Sequence, residues 1–371
     1  MAAIAVEEQA AIRDSFARLL AERSAEADVR RTMETEAGYD PALWSAIAEL
    51  GLTGLMVPED HGGAAGGPVV LEALMEEAGA ALLCAPYLSS AVLSAALLNR
   101  STDAAAKARL LPAIASGERI ASAALAGEKG LWTRDDVTAR ATPAGEAWTI
   151  DGVASYVTYG AQADLLLVAA RVGESLGVFE VDPAGTGVSR TALRSFDRTQ
   201  RLAQVTFAGA PSRRIAGLDE RALDDALDVA RVALAGQQVG AARRVFDMTV
   251  DYLKTRVQFG RPIGGFQALK HMAADLLVEL ESATSAARQA AAALEADAAD
   301  AKTLVNLAAF ACADAFLQIA ASSIQMHGGI GFTWDHPAHL YLRRARADAW
   351  LLGSSDLYRD RYLAALETAN D

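Results

Sequence analysis

The sequence predicts a multi-domain α+β protein. It would have an N-terminal α-helical domain, a middle β domain (a β-barrel or a sandwich) and a C-terminal four-helix bundle. Apolar residues recur at helical spacing in the first and last thirds of the chain. Between them lie short alternating or apolar runs bounded by polar residues and glycines, which is typical of strands. We therefore predict domains at residues 1–117, 118–218 and 219–371.

The composition argues against several classes of function. Hydrophobic residues make up 52% of the 371 residues, which is enough for a large core. The net charge of −13 argues against nucleic-acid and anionic-membrane partners, because both favour a basic surface. We expect no apolar run as long as a membrane span, and Met1–Glu8 lacks the pattern of a secretory signal. These features predict a cytoplasmic protein that binds neither nucleic acid nor membrane.

Cysteine and histidine are too sparse to suggest a metal site. Cys84 and Cys312 lie far apart and form no CxxC pair, which favours two reduced, buried thiols. The five histidines form no HExxH pattern. His336 and His339 could share a helical face, but no third ligand cluster accompanies them. We predict no bound metal.

The first domain should consist of successive helices. Pro41 suits the first position of a helix, and Asp40 before it suits the cap. The stretch Val69–Ala81 has the pattern of an amphipathic helix. Its outward face is predicted to carry three glutamates: Glu72, Glu76 and Glu77.

Four runs predict strands of the middle domain. The first of them alternates and then ends in a turn, as a strand followed by a turn does. The other three are short apolar or alternating segments. In chain order the four runs are Ala147–Val153, Asp164–Ala170, Gly177–Val181 and Ala203–Phe207. Strands at this spacing favour a compact β domain.

Helical periodicity returns at Glu220 and would give four long antiparallel helices. Arg256 should end one of them, a helix that begins near Val232, and a guanidinium there can make a charge-assisted fork to a pyrophosphate. The segment Gln325–Phe332 crowds three glycines at another helix end. Such glycines let the backbone approach a bulky anion.

These two segments resemble those of the acyl-CoA dehydrogenase family of flavoproteins. Arg256–Gly260 matches the family's Arg-x-x-Phe-Gly, and Gln325–Gly331 matches its Gln-x-x-Gly-Gly-x-Gly, in the same order and spacing. The resemblance extends over nearly the whole chain. It implies FAD as cofactor, an acyl-CoA substrate and an electron-transfer flavoprotein as acceptor.

The resemblance also implies which residues bind FAD. Arg256 would contact the pyrophosphate, Phe259 would pack near the cofactor, and Gln267 would add an amide contact. From across a dimer interface, the pyrophosphate and adenosine would meet Gln325, Gly328 and Gly329. A cofactor shared in this way would make the protein an obligate oligomer, whether a homodimer, a homotetramer or an α2β2 heterotetramer.

At the flavin end, Tyr156–Gly160 resembles the family's Trp-x-Thr-Asn-Gly. Tyr156 would pack on the isoalloxazine and the Thr158 hydroxyl would reach flavin N5. An aromatic residue and a threonine are also simply good strand formers, and this alternative stays open.

A loop beside this strand departs from the family. The family's Thr-Glu-Pro-Gly-x-Gly-Ser-Asp contacts flavin and substrate, and here Ala124–Trp132 stands in its place. The hydroxyls at both ends are lost. The backbone amides of Leu125 and Ala126 could still serve the flavin, but the substrate contacts are in doubt.

The largest departure concerns the base. Dehydrogenation of an acyl thioester needs a carboxylate to remove the α-proton. At the family's two glutamate positions this chain has Leu352 and Ala230, and neither side chain accepts a proton. The neighbours Arg231 and Gly353, implied in substrate binding, match the family. So does Ser354 at the cofactor, while Asp356 replaces a glutamine that contacts FAD.

Two interpretations of this departure remain open. The chain would be the glutamate-lacking subunit of a hetero-oligomer, with a homologous glutamate-bearing partner, as in two-subunit actinobacterial enzymes of steroid side-chain degradation. Alternatively, it is a homomeric member with a relocated base, for which Asp356 is a weak candidate and Glu128 another; Asp228 should face away. Other family-like possibilities are a desulfinase, a monooxygenase-like flavin enzyme or a structural subunit.

Overall fold

The computed structural model describes residues 5–145 and 147–370, so the first four residues of the stretch assessed for a secretory signal lie outside it. The helices, in chain order, are α1 (Val6–Arg23), α2 (Glu26–Thr32), α3 (Pro41–Glu49), α4 (Gly67–Ala80), α5 (Ala95–Arg100), α6 (Ala104–Ala115), α7 (Glu220–Thr255), α8 (Gln267–Glu295), α9 (Ala301–His327), α10 (Ala338–Asp348) and α11 (Ser355–Asn370). The strands are β1 (Ala121–Ala124), β2 (Arg140–Ala144), β3 (Ala147–Thr158), β4 (Leu165–Val172), β5 (Ser175–Val181), β6 (Val188–Ala192), β7 (Leu202–Ile215), β8 (Val257–Gln258) and β9 (Arg261–Pro262). The predicted helical, β and helical order is confirmed.

The chain divides into two compact units. One unit contains Thr32–Gly67 and Cys84–Ala230, which include the sheet and helices α3, α5 and α6. The other contains Ala5–Arg31, Pro68–Leu83 and the described residues from Arg231 onward. The N-terminal helices are therefore shared between the two units, and the three predicted domain boundaries remain a prediction.

In the first unit the strands close into a barrel. Strand β4 pairs with β5, β5 with β7, β7 with β3 and β3 with β2, all antiparallel. Strand β2 completes the ring by a single parallel pairing of Arg140 with Arg171 of β4. Strands β1 and β6 extend the sheet beside β4 and β7. Inward side chains such as Ile150, Leu166 and Phe179 fill the core.

One predicted turn is wrong. We expected the first predicted strand, Ala147–Val153, to end in a turn, whereas β3 continues to Thr158. The register with β7 shifts between Ile150 and Gly152, and Gly152 has a φ of +138°. A β-bulge with glycine at its unusual position lets the strand bend without ending.

The cap of α3 is as predicted. The Asp40 side chain accepts a hydrogen bond from the Ala42 backbone N–H at 2.9 Å, and Pro41 occupies the first turn. Both features are local, and an isolated segment already contains everything they need.

In the second unit, α4 and α7 cross at very close range. A Cβ at Gly79 would lie 1.9 Å from the carbonyl oxygen of Gln237, and one at Gly240 would lie 1.9 Å from that of Glu76. Only glycine permits such an approach of two backbones. The crossing turns the face of α4 that carries Glu72 and Glu76 inward, so the predicted outward position of these two side chains is wrong.

These buried carboxyl groups are compensated by distant residues. Glu76 accepts hydrogen bonds from Arg13 of α1 at 2.9 Å and from Arg288 of α8 at 2.9 Å. Burial, together with the nearby charge of Glu76, raises the pKa of Glu72 to about 8. Glu72 therefore carries its proton at neutral pH, which avoids burying a second negative charge.

The C-terminal helices differ in number and length from the prediction. Three are long and two are shorter, and the helix before Arg256 begins at Glu220 rather than near Val232. Within the segment Ala301–Phe332, an 18-residue window has a mean hydropathy of 1.7, and the segment is long and apolar enough to cross a membrane by length and composition. This corrects our expectation about apolar runs. Buried core helices pass the same test, so it is weak evidence of a span.

Candidate functional site

The predicted pyrophosphate residue, Arg256, directly follows α7 and begins a tight hairpin. Val257–Gln258 pairs antiparallel with Arg261–Pro262 through a two-residue loop. The two loop residues, Phe259 and Gly260, have φ angles of +52° and +76°. Positive φ at both positions is typical of a type I′ turn. The turn holds Phe259 out from the protein, with 91% of the residue exposed.

The polar residues predicted to contact FAD here are available to a ligand. Arg256 is exposed and forms no ion pair with any described residue. Gln267, also exposed, is the first residue of α8, where the helix presents unpaired backbone N–H groups. Arg261, by contrast, is already stacked on Phe266, with its Cζ 4.1 Å from the ring centroid. Of the two hairpin arginines, Arg256 is thus the one free to meet a phosphate.

Most of the predicted glycine segment, Gln325–Phe332, is exposed, whereas Met326, His327 and Gly331 within it are buried. Helix α9 ends where Gly328 takes a φ of +65°. A Cβ built on Gly328 or Gly329 would have no other atom within 4 Å. Phe332 is 83% exposed and Gln325 is exposed as well. At Gly328 and Gly329 the backbone is exposed and is flanked by apolar side chains, which suits the close approach of a large anionic ligand.

His327 lies within this segment, and the sequence analysis gave it no role. His327 is buried, its Nδ1 donates to the Ser323 carbonyl oxygen at 2.8 Å, and its ring stacks on Tyr252 with centroids 4.6 Å apart. The His336 ring lies 4.3 Å from it. Burial lowers the pKa of both histidines. Because Tyr252 lies one turn before Arg256 on α7, this stack brings the two cofactor motifs together.

The two expected base positions are buried and apolar. Leu352 is 2% exposed and Ala230 is fully buried. Arg231 is also buried, and its Nε donates to the hydroxyl of Tyr358 at 3.2 Å. That hydroxyl in turn donates to the Leu352 carbonyl oxygen. A Cβ on Gly353, whose φ is +134°, would lie only 2.5 Å from the Tyr358 hydroxyl oxygen. The turn around Leu352 is therefore closed, with Tyr358 packed against its backbone.

The residues that follow this turn point elsewhere. The Ser354 hydroxyl accepts from the Leu357 N–H at 3.3 Å and so caps α11. The Asp356 side chain is 92% exposed and pairs with Arg359 at 3.2 Å. As a relocated base it would have to leave that pair and enter a buried region. Tyr358 was not predicted, and its only hint was an aromatic residue among the charges of α11.

The predicted flavin-contacting residues of the first unit lie at the end of β3. The register with β7 shifts between Ala154 and Val157, and Tyr156 within this bulge has a φ of +56°. Tyr156 is 44% exposed, and Thr158 is half-buried. The Thr158 carbonyl oxygen accepts from the Ser122 hydroxyl at 2.5 Å. Bulges re-aim side chains out of a sheet, which fits an aromatic side chain offered to a ligand.

The altered loop Ala124–Trp132 passes close to this bulge. Leu125 and Ala126 are buried, whereas Glu128 is exposed and so lies outside the core. The loop backbone donates to the carboxylate of Asp136, a buried residue that the sequence analysis did not single out. Nothing in the sequence marks Asp136 among its acidic neighbours, because its partners are backbone amides.

Family models match both the N-terminal and the C-terminal part of the chain. Residues 6–118 match the family model "Acyl-CoA dehydrogenase, N-terminal domain", and residues 221–366 match "Acyl-CoA dehydrogenase, C-terminal domain". Acyl-CoA dehydrogenase IpdE2 of Mycobacterium tuberculosis is 36% identical over 357 residues, which cover 94% of each chain. Acyl-CoA dehydrogenase FadE34 of the same organism is 36% identical over 98% of this chain and 48% of its own length.

Two solved structures superpose on nearly the whole chain. A variant of the Tcur3481-Tcur3483 steroid ACAD is 30% identical, with a TM-score of 0.89 over 98% of this chain and 99% of that chain. The ChsE4-ChsE5 complex from Mycobacterium tuberculosis is 27% identical, with a TM-score of 0.90 over 99% of each chain.

Proposed function

Because this chain belongs to the acyl-CoA dehydrogenase family of FAD-dependent flavoproteins, which oxidise CH–CH groups, we propose that it acts in the α,β-dehydrogenation of an acyl-CoA thioester. It does so as the glutamate-lacking subunit of a hetero-oligomer. The observation that carries this proposal is the pair of buried apolar residues, Leu352 and Ala230, at the two positions where the family has its glutamate. A leucine and an alanine cannot take up the α-proton.

The residues present fit FAD. The glycine segment offers bare backbone, and Arg256 offers a free guanidinium for the pyrophosphate, assisted by the amide of Gln267. FAD, when bound, supplies the acceptor for the hydride that leaves the β-carbon. Further contacts are assigned to Phe259 and Gln325 on either side of that site. On β3, Tyr156 and Thr158 are assigned to the flavin ring, with Ser354 and Asp356 as additional cofactor contacts.

For the substrate, Arg231 and Gly353 are the proposed contacts in this chain. These two residues would bind and orient the acyl-CoA. The base would come from a homologous subunit that carries the glutamate. Two structural relatives support a two-chain arrangement, since one is described as a ChsE4-ChsE5 complex and the other as a Tcur3481-Tcur3483 steroid ACAD. We therefore favour a cytoplasmic α2β2 assembly that oxidises a steroid side-chain or fatty acyl-CoA and passes electrons to an electron-transfer flavoprotein. A homodimer or homotetramer is the alternative assembly.

Neither of two candidates for a relocated base, Asp356 and Glu128, gains support. Asp356 is exposed and paired with Arg359, and Glu128 is exposed on its loop. A desulfinase or monooxygenase-like activity likewise has no specific observation in its favour.

The test compares the chain alone with the chain plus partner. We expect the full chain, supplied with FAD, to show no acyl-CoA-dependent dye reduction under anaerobic conditions, with either fatty acyl-CoA or steroid side-chain CoA thioesters. Turnover should appear on co-expression with a homologous subunit that carries the glutamate, and a glutamate-to-glutamine change in that subunit should abolish it. Substantial turnover by the isolated chain would overturn the proposal.

A further inference from the structure

A single buried carboxylate organises the loop beside Tyr156. We call Gly127–Leu131 the Asp136 loop, because three of its backbone N–H groups donate to that side chain. The donors are Gly127 at 3.0 Å, Lys129 at 3.3 Å and Leu131 at 2.8 Å. Asp136 is only 6% exposed, so these charge-assisted hydrogen bonds are shielded from water. These three hydrogen bonds hold the loop conformation together with the Gly130 N–H, which donates to the Gly127 carbonyl oxygen at 3.2 Å.

The same loop is fastened to β3 and packed on the tyrosine ring. The Ser155 N–H donates to the Gly127 carbonyl oxygen at 3.2 Å. Gly130 has a φ of +69°, and a Cβ there would lie 2.2 Å from Cδ2 of Tyr156. The glycine backbone thus lies directly against the ring, at a distance that no larger residue allows.

The strand itself does little to fix Tyr156. In the β3–β7 ladder, Ala154 pairs with Val205 and Val157 pairs with Ala203, so Ser155 and Tyr156 together face one residue. In a bulge of this kind the extra residue is left out of the ladder. Tyr156 also has a positive φ, which a bulky residue keeps only when its surroundings enforce it. The backbone of the Asp136 loop, at Gly130, is one of the surroundings that touch it here.

We propose that Asp136 is a positioning residue for the flavin ring. By holding the loop against Tyr156, it sets the plane of the aromatic side chain on which an isoalloxazine would stack. The inference rests on the proposed function for the identity of that ligand, but the loop contacts belong to the protein alone. It also gives a role to a loop that has lost its ligand-facing hydroxyls: three of its backbone N–H groups donate to Asp136, and its contribution is made through Tyr156.

The experiment uses the full chain and two independent measurements. Hydrogen exchange of the loop amides, without added flavin, reports the Asp136 contacts. Titration with FAD, followed by the visible spectrum and circular dichroism of the bound flavin, reports the tyrosine plane. The variants are Asp136→Asn, Asp136→Glu and Gly130→Ala. The matched control is Asp135→Asn, because the neighbouring Asp135 side chain is 98% exposed.

In Asp136→Asn we expect exchange at Gly127, Lys129 and Leu131 to accelerate by at least about tenfold. We expect FAD affinity to fall by about tenfold, with altered circular dichroism of the flavin. Asp136→Glu should restore part of both, and the Asp135→Asn control should match the wild type. Gly130→Ala should change the flavin spectrum while Asp136 stays intact, so the proposal is judged even if Asp136→Asn does not fold.

Unchanged amide protection in a folded Asp136→Asn variant would overturn the inference, as would a wild-type flavin spectrum and affinity in Gly130→Ala. Failure of the wild-type chain to bind FAD, alone or with its partner, would instead remove the proposed function. The exchange data would still decide whether Asp136 holds the loop.

Discussion

Two parts of the second unit, the glycine segment and the turn around Leu352, match the same family but differ in their physical state. The glycine segment is open: Gly329 has nothing within 4 Å of a built Cβ, and Phe332 is 83% exposed. The turn is closed: Leu352 is 2% exposed, and Gly353 lies against the Tyr358 hydroxyl. One region keeps a surface that needs a ligand or a subunit to cover it. The other is already filled by the protein's own side chains.

The two regions therefore differ in exposure: the segment that matches a family motif is mostly exposed, whereas the position where the family has a glutamate is buried. Exposed aromatic side chains lie around the glycine segment, and Arg256 forms no ion pair with any described residue; exposed surfaces of this kind are typical of binding sites. Around Leu352, the replacement of a carboxylate has been accompanied by apolar burial rather than by another acid. Under the proposed function, the chain keeps the features that would hold a cofactor and lacks the acid that would take up a proton.

The largest effect should come from the open region. Arg256→Gln keeps hydrogen-bonding capacity but removes the charge proposed to meet the pyrophosphate, and we expect FAD affinity to fall by about 100-fold or more. Lys254→Gln is the control, since Lys254 is exposed and pairs with Asp251 at 3.3 Å. The measurement is FAD titration by fluorescence, in the assembly that binds FAD. Equal affinities for the two variants would show that the open surface is not the cofactor site.

A matched pair of glycine substitutions tests openness against closure. Gly353→Ala should lower the free energy of unfolding by about 3 kcal/mol, because its φ is +134° and the new methyl group meets Tyr358. Gly329→Ala should change stability by less than about 0.5 kcal/mol, since no atom lies near. Denaturant unfolding measures both. Similar losses from both variants would break the comparison.

A smaller loss is expected from Leu352→Glu, which puts the missing acid back. In the closed turn a carboxyl group should cost about 2 kcal/mol of stability, whereas Leu352→Met should cost under about 1.5 kcal/mol. Thermal and denaturant unfolding at neutral pH provide the measurement. A glutamate variant as stable as the wild type would mean that solvent reaches this turn, and that the buried leucine is a weak argument for a missing base.

The smallest effect concerns the support under the glycine segment. Burial lowers the pKa of His327 below its usual 6.5, so below that pH the unfolded chain binds more protons than the folded one. Stability should then fall as pH drops from 6.5, by less than about 1.4 kcal/mol per pH unit for one group. His327→Phe should flatten this dependence while keeping the stack on Tyr252. The exposed His271→Gln serves as control, and an unchanged slope in His327→Phe would contradict the assignment.

Local features of the fold were predictable and distant compensations were not. The Asp40 cap and the helix and strand order follow from spacing and from residues that act on their own neighbours. Glu72 and Glu76 were misplaced because their burial depends on glycines of α7 and on arginines 63 and 212 residues away in sequence. The turn expected at the end of Ala147–Val153 is absent because Gly152 lies at a β-bulge, and the strand continues beyond it.

The candidate site divides in the same way. The sequence pointed to Arg256 and the glycine segment because backbone-rich motifs carry their geometry with them, and the structure brings them together through Tyr252 and His327. Tyr358 and Asp136 were missed because each acts on backbone groups that have no sequence signature. Their roles follow only from the folded chain.

The crossing of α4 and α7 has a consequence for how this protein will respond to random mutation. Gly79 and Gly240 leave no room for even one extra methyl group, so a saturation-mutagenesis map should score both as intolerant as any ligand-contacting residue. If every substitution-intolerant residue were assigned to the active site, this helix crossing would be wrongly included in it. Only a readout that separates protein abundance from turnover would tell the two apart.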